Sequence, residues 1–285
     1  MKKEINVKGI VVFLVLTFLI TYGILFGIQF AGVSPILAGF GQYLVAAVMW
    51  VPGLVGFLIN KYVDKKPISE LIIKPRSWKP FLYAALVIPF CFLIIYLITF
   101  LFGLGNPDWE FNGLQRKLAE QGAPELPIPD KTVAWISLYV VTLIFAPIMN
   151  GVFGFGEELG WRGYLLPKLM QYGKLKAYIL LAIIWGLWHL PLITAGFMYP
   201  GSPILGMFFF IIMLGALGIY MNELTLKYQS SLLAGWIHGI FNSQRLGVWA
   251  ILFPDINPFI GGFSGTVGIV IWLALGFIIL RRNKK

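Results

Sequence analysis

Six polar side chains stand where the sequence is otherwise apolar, and their types are those of acid–base and acyl-transfer chemistry. Glu157, Glu158 and Arg162 lie in Gly156-Glu157-Glu158-Leu159-Gly160-Trp161-Arg162. His189 follows the apolar stretch Trp185-Gly186-Leu187-Trp188, and His238 and Asn242 lie in His238-Gly239-Ile240-Phe241-Asn242. The chain has 2 histidines, and both sit inside apolar segments. Ionisable groups at membrane depth cost roughly 2.5 to 3.5 kcal/mol each on insertion scales, so they read first as functional groups.

Helical spacing sorts them. Glu158 and Arg162 are four apart and can pair along one face. Glu157 is turned about 100° from Glu158, which leaves its carboxylate free for chemistry. His238 and Asn242, also four apart, present an imidazole and an amide along one stripe. Pro191 ends or kinks the helix that carries His189. Three helices can thus converge a carboxylate, two imidazoles and an amide on one point. The competing reading is a structural polar network, in which Glu158 and Arg162 form only a salt bridge and the histidines bond helix to helix. An unpaired Glu157 fits that reading poorly, since each added polar group raises the insertion cost without structural return.

The elements that must position these groups follow from composition. Of 285 residues, 59% are hydrophobic and 12% charged, and mean hydropathy is +0.83. Soluble domains carry roughly 25% charged residues. Apolar runs near the length that spans a bilayer recur along the chain. They predict an all-α, polytopic membrane helical bundle of about eight transmembrane helices. The spans fall near Ile10–Phe30, Ile36–Ile59, Phe81–Leu104, Thr132–Gly151, Ala177–Ile193, Pro203–Met221, Ser230–Gly247 and Gly265–Leu280, with a less apolar helix near Phe155–Gln171. Residues 1–285 read as a single membrane domain, and 152–243 hold the chemistry-bearing helices. The first run has no small-residue cleavage pattern and reads as a retained span.

Net charge is +10, but the basic residues cluster between and after the apolar runs, which argues for membrane topology and against nucleic acid. The segment Lys61–Lys79, the Lys168–Lys176 region and the Arg281–Lys285 tail share one side if both termini are cytoplasmic, in a multi-pass cell-membrane protein. The segment Gly105–Asp130 is acidic on balance and falls on the other side; Trp109, Phe111 and Leu114–Leu118 could lie along that outer interface. Arg245 reads as an interfacial anchor. Trp161, Trp185, Trp188 and Trp236 pack the bundle or line a pocket for an apolar peptide. Cys91 is the 1 cysteine, so neither an internal disulfide nor a cysteine-based metal site can form.

At these residues the chain resembles the CPBP family of membrane proteases, which includes the CAAX prenyl endopeptidases and bacteriocin-processing or immunity proteins. The resemblance rests on Glu157-Glu158-x-x-x-Arg162, on Trp185-x-x-x-His189 and on His238-x-x-x-Asn242, in that order and spacing. Trp185 stands where phenylalanine is common. The resemblance covers roughly Val152–Ser243 and implies an intramembrane endopeptidase whose site opens toward the cytoplasmic side. It implies that Glu157 activates the attacking water with help from His189, that His238 and Asn242 stabilise the oxyanion, and that Arg162 holds Glu158. The partners would be the lipid bilayer and a peptide or protein substrate, lipidated or not.

A metal-free mechanism is the expectation. Two histidines and a glutamate also match a catalytic zinc set, with Glu158 then the base, but no His-Glu-x-x-His spacing exists. A transporter would show broken helices in matched halves, whereas these polar residues all fall in the second half. A non-catalytic immunity protein would not need the full set.

Overall fold

The computed structural model describes residues 7–36, 40–75 and 77–283. Met1 to Lys3, part of the second expected span, Arg76, Lys284 and Lys285 lie outside the described residues. Among those described there are helices and turns and no strands. The fold is a polytopic helical membrane bundle, and 6 of its helices are long and apolar enough to cross a membrane. They are α1 (Val7–Phe30), α2 (Gly41–Val63), α3 (Lys79–Leu101), α5 (Lys131–Tyr172), α8 (Pro203–Tyr228) and the last, Thr266–Asn283. Helix α4 (Asn112–Glu120) lies between α3 and α5.

These helices are apolar all round because each faces two apolar surroundings. On α3, Ala84, Ile88, Cys91 and Ile95 are buried in the bundle, while Leu82, Leu86, Phe90 and Leu97 are exposed. The second stripe faces lipid, where an exposed leucine is at no disadvantage.

The expected fifth and seventh spans are shorter than crossing helices. Helix α6 (Lys174–Trp188) has 15 residues and α9 (Ser231–Leu246) has 16, against the roughly 20 a crossing needs. The chain stops α6 at His189 and restarts as α7 (Leu190–Thr194), with Pro191 in its first turn, where proline's missing N–H is harmless. The Ser230 hydroxyl caps α9 by accepting from Leu233 N–H at 3.1 Å. The fourth expected span and the less apolar helix after it are continuous: α5 runs 42 residues. It absorbs two π-helical turns, Val141–Phe145 and Leu159–Leu165, the second directly after the Glu157-Glu158 pair. Such turns insert an extra residue and often occur at functional sites.

Helix α9 packs most extensively on α5, and two glycines set the distance. A Cβ on Gly239 would stand 2.4 Å from the Gly151 nitrogen, and one on Gly235 2.6 Å from the Phe155 Cα. Gly235-x-x-x-Gly239 is therefore a small-residue seam through which two membrane helices approach backbone to backbone. That approach brings His238 against the carboxylates of α5.

The segment between α3 and α5 packs into the bundle. Phe111 is 3% exposed and stacks on Trp135 at 4.4 Å. The Trp135 indole N–H donates to the Trp109 carbonyl at 3.0 Å. Arg116 pairs with Asp255 and Lys131 with Glu110, tying the segment down at both ends.

Candidate active site

Glu158 is fully buried and bound from two sides. The Arg162 guanidinium donates to its Oε2, as their spacing predicts. The His238 Nδ1 meets its Oε1 at 3.0 Å. Arg162 is also held by Asn222, whose Oδ1 accepts from the Arg162 Nε at 3.0 Å, and it stacks over the Trp185 ring at 4.6 Å. A buried charge is tolerable only when paired and fully hydrogen-bonded, and this cluster meets both conditions. It fixes α5, α8 and α9 relative to one another.

Glu157 takes a different environment. Its Oε2 accepts from the Trp185 indole N–H at 3.0 Å, and the residue lines a cavity of about 90 Å³. Trp185, His189, His238, Asn242 and Arg245 line the same cavity, and most of the remaining wall is apolar, as at Leu192, Met213 and Phe241. A water molecule needs roughly 10 to 15 Å³ of such space, so the attacking water fits. Trp185 stands between the two imidazoles, 6.1 Å from His189 and 5.7 Å from His238, centroid to centroid.

Partners settle which ring nitrogens are available. A carbonyl can only accept, so the His189 Nδ1, 2.9 Å from the Trp185 carbonyl, carries the proton and leaves the Nε2 lone pair free. The His238 Nδ1 donates to the Glu158 carboxylate in the same way, leaving Nε2 as its second nitrogen. Asn242 is 7% exposed, and its Oδ1 accepts from the Arg245 Nε at 2.9 Å.

The cavity brings Glu157, His189, His238 and Asn242 together, with Glu158 and Arg162 behind it. Sequence reasoning missed three participants. Asn222 is buried inside an apolar run that hides a single amide. Trp185 is a hydrogen-bond donor as well as packing. Arg245 lines the cavity and bonds Asn242, which replaces its reading as an interfacial anchor; its place three residues from Asn242 was the available signal. A further buried carboxylate, Glu223, was also unforeseen. It pairs with Lys174 and accepts from Tyr178 at 2.7 Å and Asn283 at 2.9 Å, apart from the cavity.

Residues 132–244 match the model of the type II CAAX prenyl endopeptidase Rce1-like family, and Glu157, Glu158, Arg162, His189, His238 and Asn242 fall inside that range. The match supports an intramembrane endopeptidase of the CPBP type. CAAX prenyl protease 2 of Methanococcus maripaludis is 26% identical to it over 242 residues, covering 80% of this chain and 81% of that protein. The endopeptidase therefore works in a lipid environment on a peptide or protein substrate.

One feature of the cavity bears on how substrate arrives. It meets a second cavity at Phe197, Met198 and Arg245, whose wall includes Lys117 of α4 and Pro254. Helix α3 runs from the basic 61–79 segment at one end to the 103–130 segment at the other. The second cavity lies at the end of the bundle that carries the 103–130 segment.

Proposed function

We propose that this protein cleaves a membrane-associated peptide or protein by glutamate-assisted attack of water. The observation that carries the reading is the contrast between adjacent carboxylates: Glu158 is bound by Arg162 and His238, while Glu157 faces the cavity beside a neutral indole. Glu157 takes a proton from water as the oxygen attacks the scissile carbonyl carbon. The His189 Nε2 accepts the second O–H and orients the water. The carbonyl oxygen becomes an oxyanion opposite the Asn242 amide, which donates to it, and opposite His238, which donates from Nε2 when both its ring nitrogens carry protons. The C–N bond then breaks, Glu157 returns its proton to the leaving nitrogen, and a carboxylic acid and an amine result, between which the remaining acidic proton passes to give carboxylate and ammonium. One water is consumed. The name of the archaeal relative points to prenylated C-terminal substrates; the apolar wall suits a lipidated or an apolar peptide alike.

The same residues can also be read as a zinc site. Among the described residues no three His, Cys, Asp or Glu side chains gather closely enough to hold one ion, which favours the metal-free reading, since catalytic zinc uses three protein ligands. Metal content of the purified protein, with activity after prolonged chelation, is the test. Activity should survive chelation unchanged. Stoichiometric zinc whose removal abolishes cleavage, and whose return restores it, would establish the zinc mechanism.

Loop charge favours both termini in the cytoplasm, and the residues shared with the second cavity then favour an opening toward the opposite leaflet. Membrane-impermeant maleimide should label Lys117→Cys in intact cells and Lys66→Cys only after lysis. The reverse pattern would invert the topology and give the cavity a cytoplasmic opening.

A further inference from the structure

We infer that Arg245 is a positioning residue that fixes which way the Asn242 amide faces. The inference rests on the proposed role of Asn242 as an oxyanion donor. An amide has two nearly isosteric ends, one accepting and one donating, and an unconstrained asparagine can present either. An oxyanion needs the N–H end. The Arg245 Nε lies 2.9 Å from the Asn242 Oδ1, and a guanidinium has no acceptor. A flipped amide would set N–H against N–H. Arg245 therefore holds the carbonyl end, and the Nδ2 hydrogens point away from it. Both residues line the cavity, on the face of α9 that also carries His238.

Arg245 is itself anchored. Its guanidinium stacks over the Phe197 ring at 4.9 Å, a geometry that suits a planar cation. Spacing of three along one helix keeps the donor and the amide in register. The Nε–H, not the charge, holds the amide oxygen. Glutamine carries its amide nitrogen on Cδ, as arginine carries Nε, so glutamine at this position keeps the donor without the charge. Methionine keeps similar bulk without the donor.

The test measures kcat and KM for an internally quenched peptide that the wild-type protein cleaves, using the purified full-length chain. Arg245→Met and Arg245→Gln are each made in the wild-type and Asn242→Ala backgrounds, and the melting temperature of every variant is recorded. Removing one oxyanion donor costs about 100- to 1000-fold in turnover, and a misaligned donor loses part of that. Arg245→Met should lower kcat about 10- to 100-fold with KM nearly unchanged, and Arg245→Gln should recover most of the loss. In the Asn242→Ala background neither variant should lower kcat further, because the residue it acts through is gone. Asn242→Asp, which keeps the Arg245 contact but lacks the N–H, should behave as Asn242→Ala. Equal losses from Arg245→Met in both backgrounds would overturn the inference. So would a rise in KM shared by both Arg245 variants, which would mean the charge binds an anionic part of the substrate. If Asn242→Ala left kcat unchanged, the oxyanion role of Asn242 would fail first, and the positioning role with it.

Discussion

Arg162→Ala is expected to destabilise the protein by about 3 to 5 kcal/mol, the usual cost of removing one partner of a buried ion pair. Arg162 is 0% exposed, and three contacts depend on it: Glu158, the Asn222 amide and the face of Trp185. Without it the Glu158 carboxylate faces His238 alone, and an amide and an indole lose their packing partner. Folded protein should fall in detergent, seen as a lower melting temperature and aggregation on gel filtration. Adding Glu158→Gln to Arg162→Met removes the stranded charge and restores bulk, so the pair should be more stable than Arg162→Ala. A fully stable but inactive Arg162→Ala would instead move Arg162 from scaffold to chemistry.

The chemistry-bearing residues were legible in the sequence because the membrane makes polar groups conspicuous: Glu157, Glu158, Arg162, His189, His238 and Asn242 stand out against apolar runs. The Glu158–Arg162 pair followed from spacing, and the break after His189 from Pro191. Less legible was anything decided by packing between distant segments. Glycines at 151, 154, 156, 160 and 163 suggest an interrupted helix, yet α5 continues through them, with Gly151 and Gly154 close against α9 and Gly156 and Gly160 close against Trp50 and Pro52 of α2. Hydropathy marked the stretches around His189 and His238 as spans, but α6 and α9 are shorter, ended by local signals that a window of about twenty residues averages away. Asn222 and Glu223 were lost in the same averaging. Phe111 looked like an interfacial aromatic because its partner, Trp135, lies 24 residues further along the chain.

Glu157→Gln should abolish most turnover. Glutamine preserves shape and can still accept the Trp185 indole N–H, so the cavity wall and the fold should be unchanged. What it cannot do is take a proton from water. A positioned general base contributes typically 10²- to 10⁴-fold, and kcat should fall by about that factor. KM should stay close to the wild-type value, because the lost interaction is made in the transition state. The direct measurement is the single-turnover rate of peptide cleavage by purified wild-type and Glu157→Gln protein, with peptide binding measured on the same samples. The expected result is a rate at least about 100-fold lower at equal occupancy. Cleavage by Glu157→Gln at the wild-type rate would contradict the assignment of Glu157 as the base.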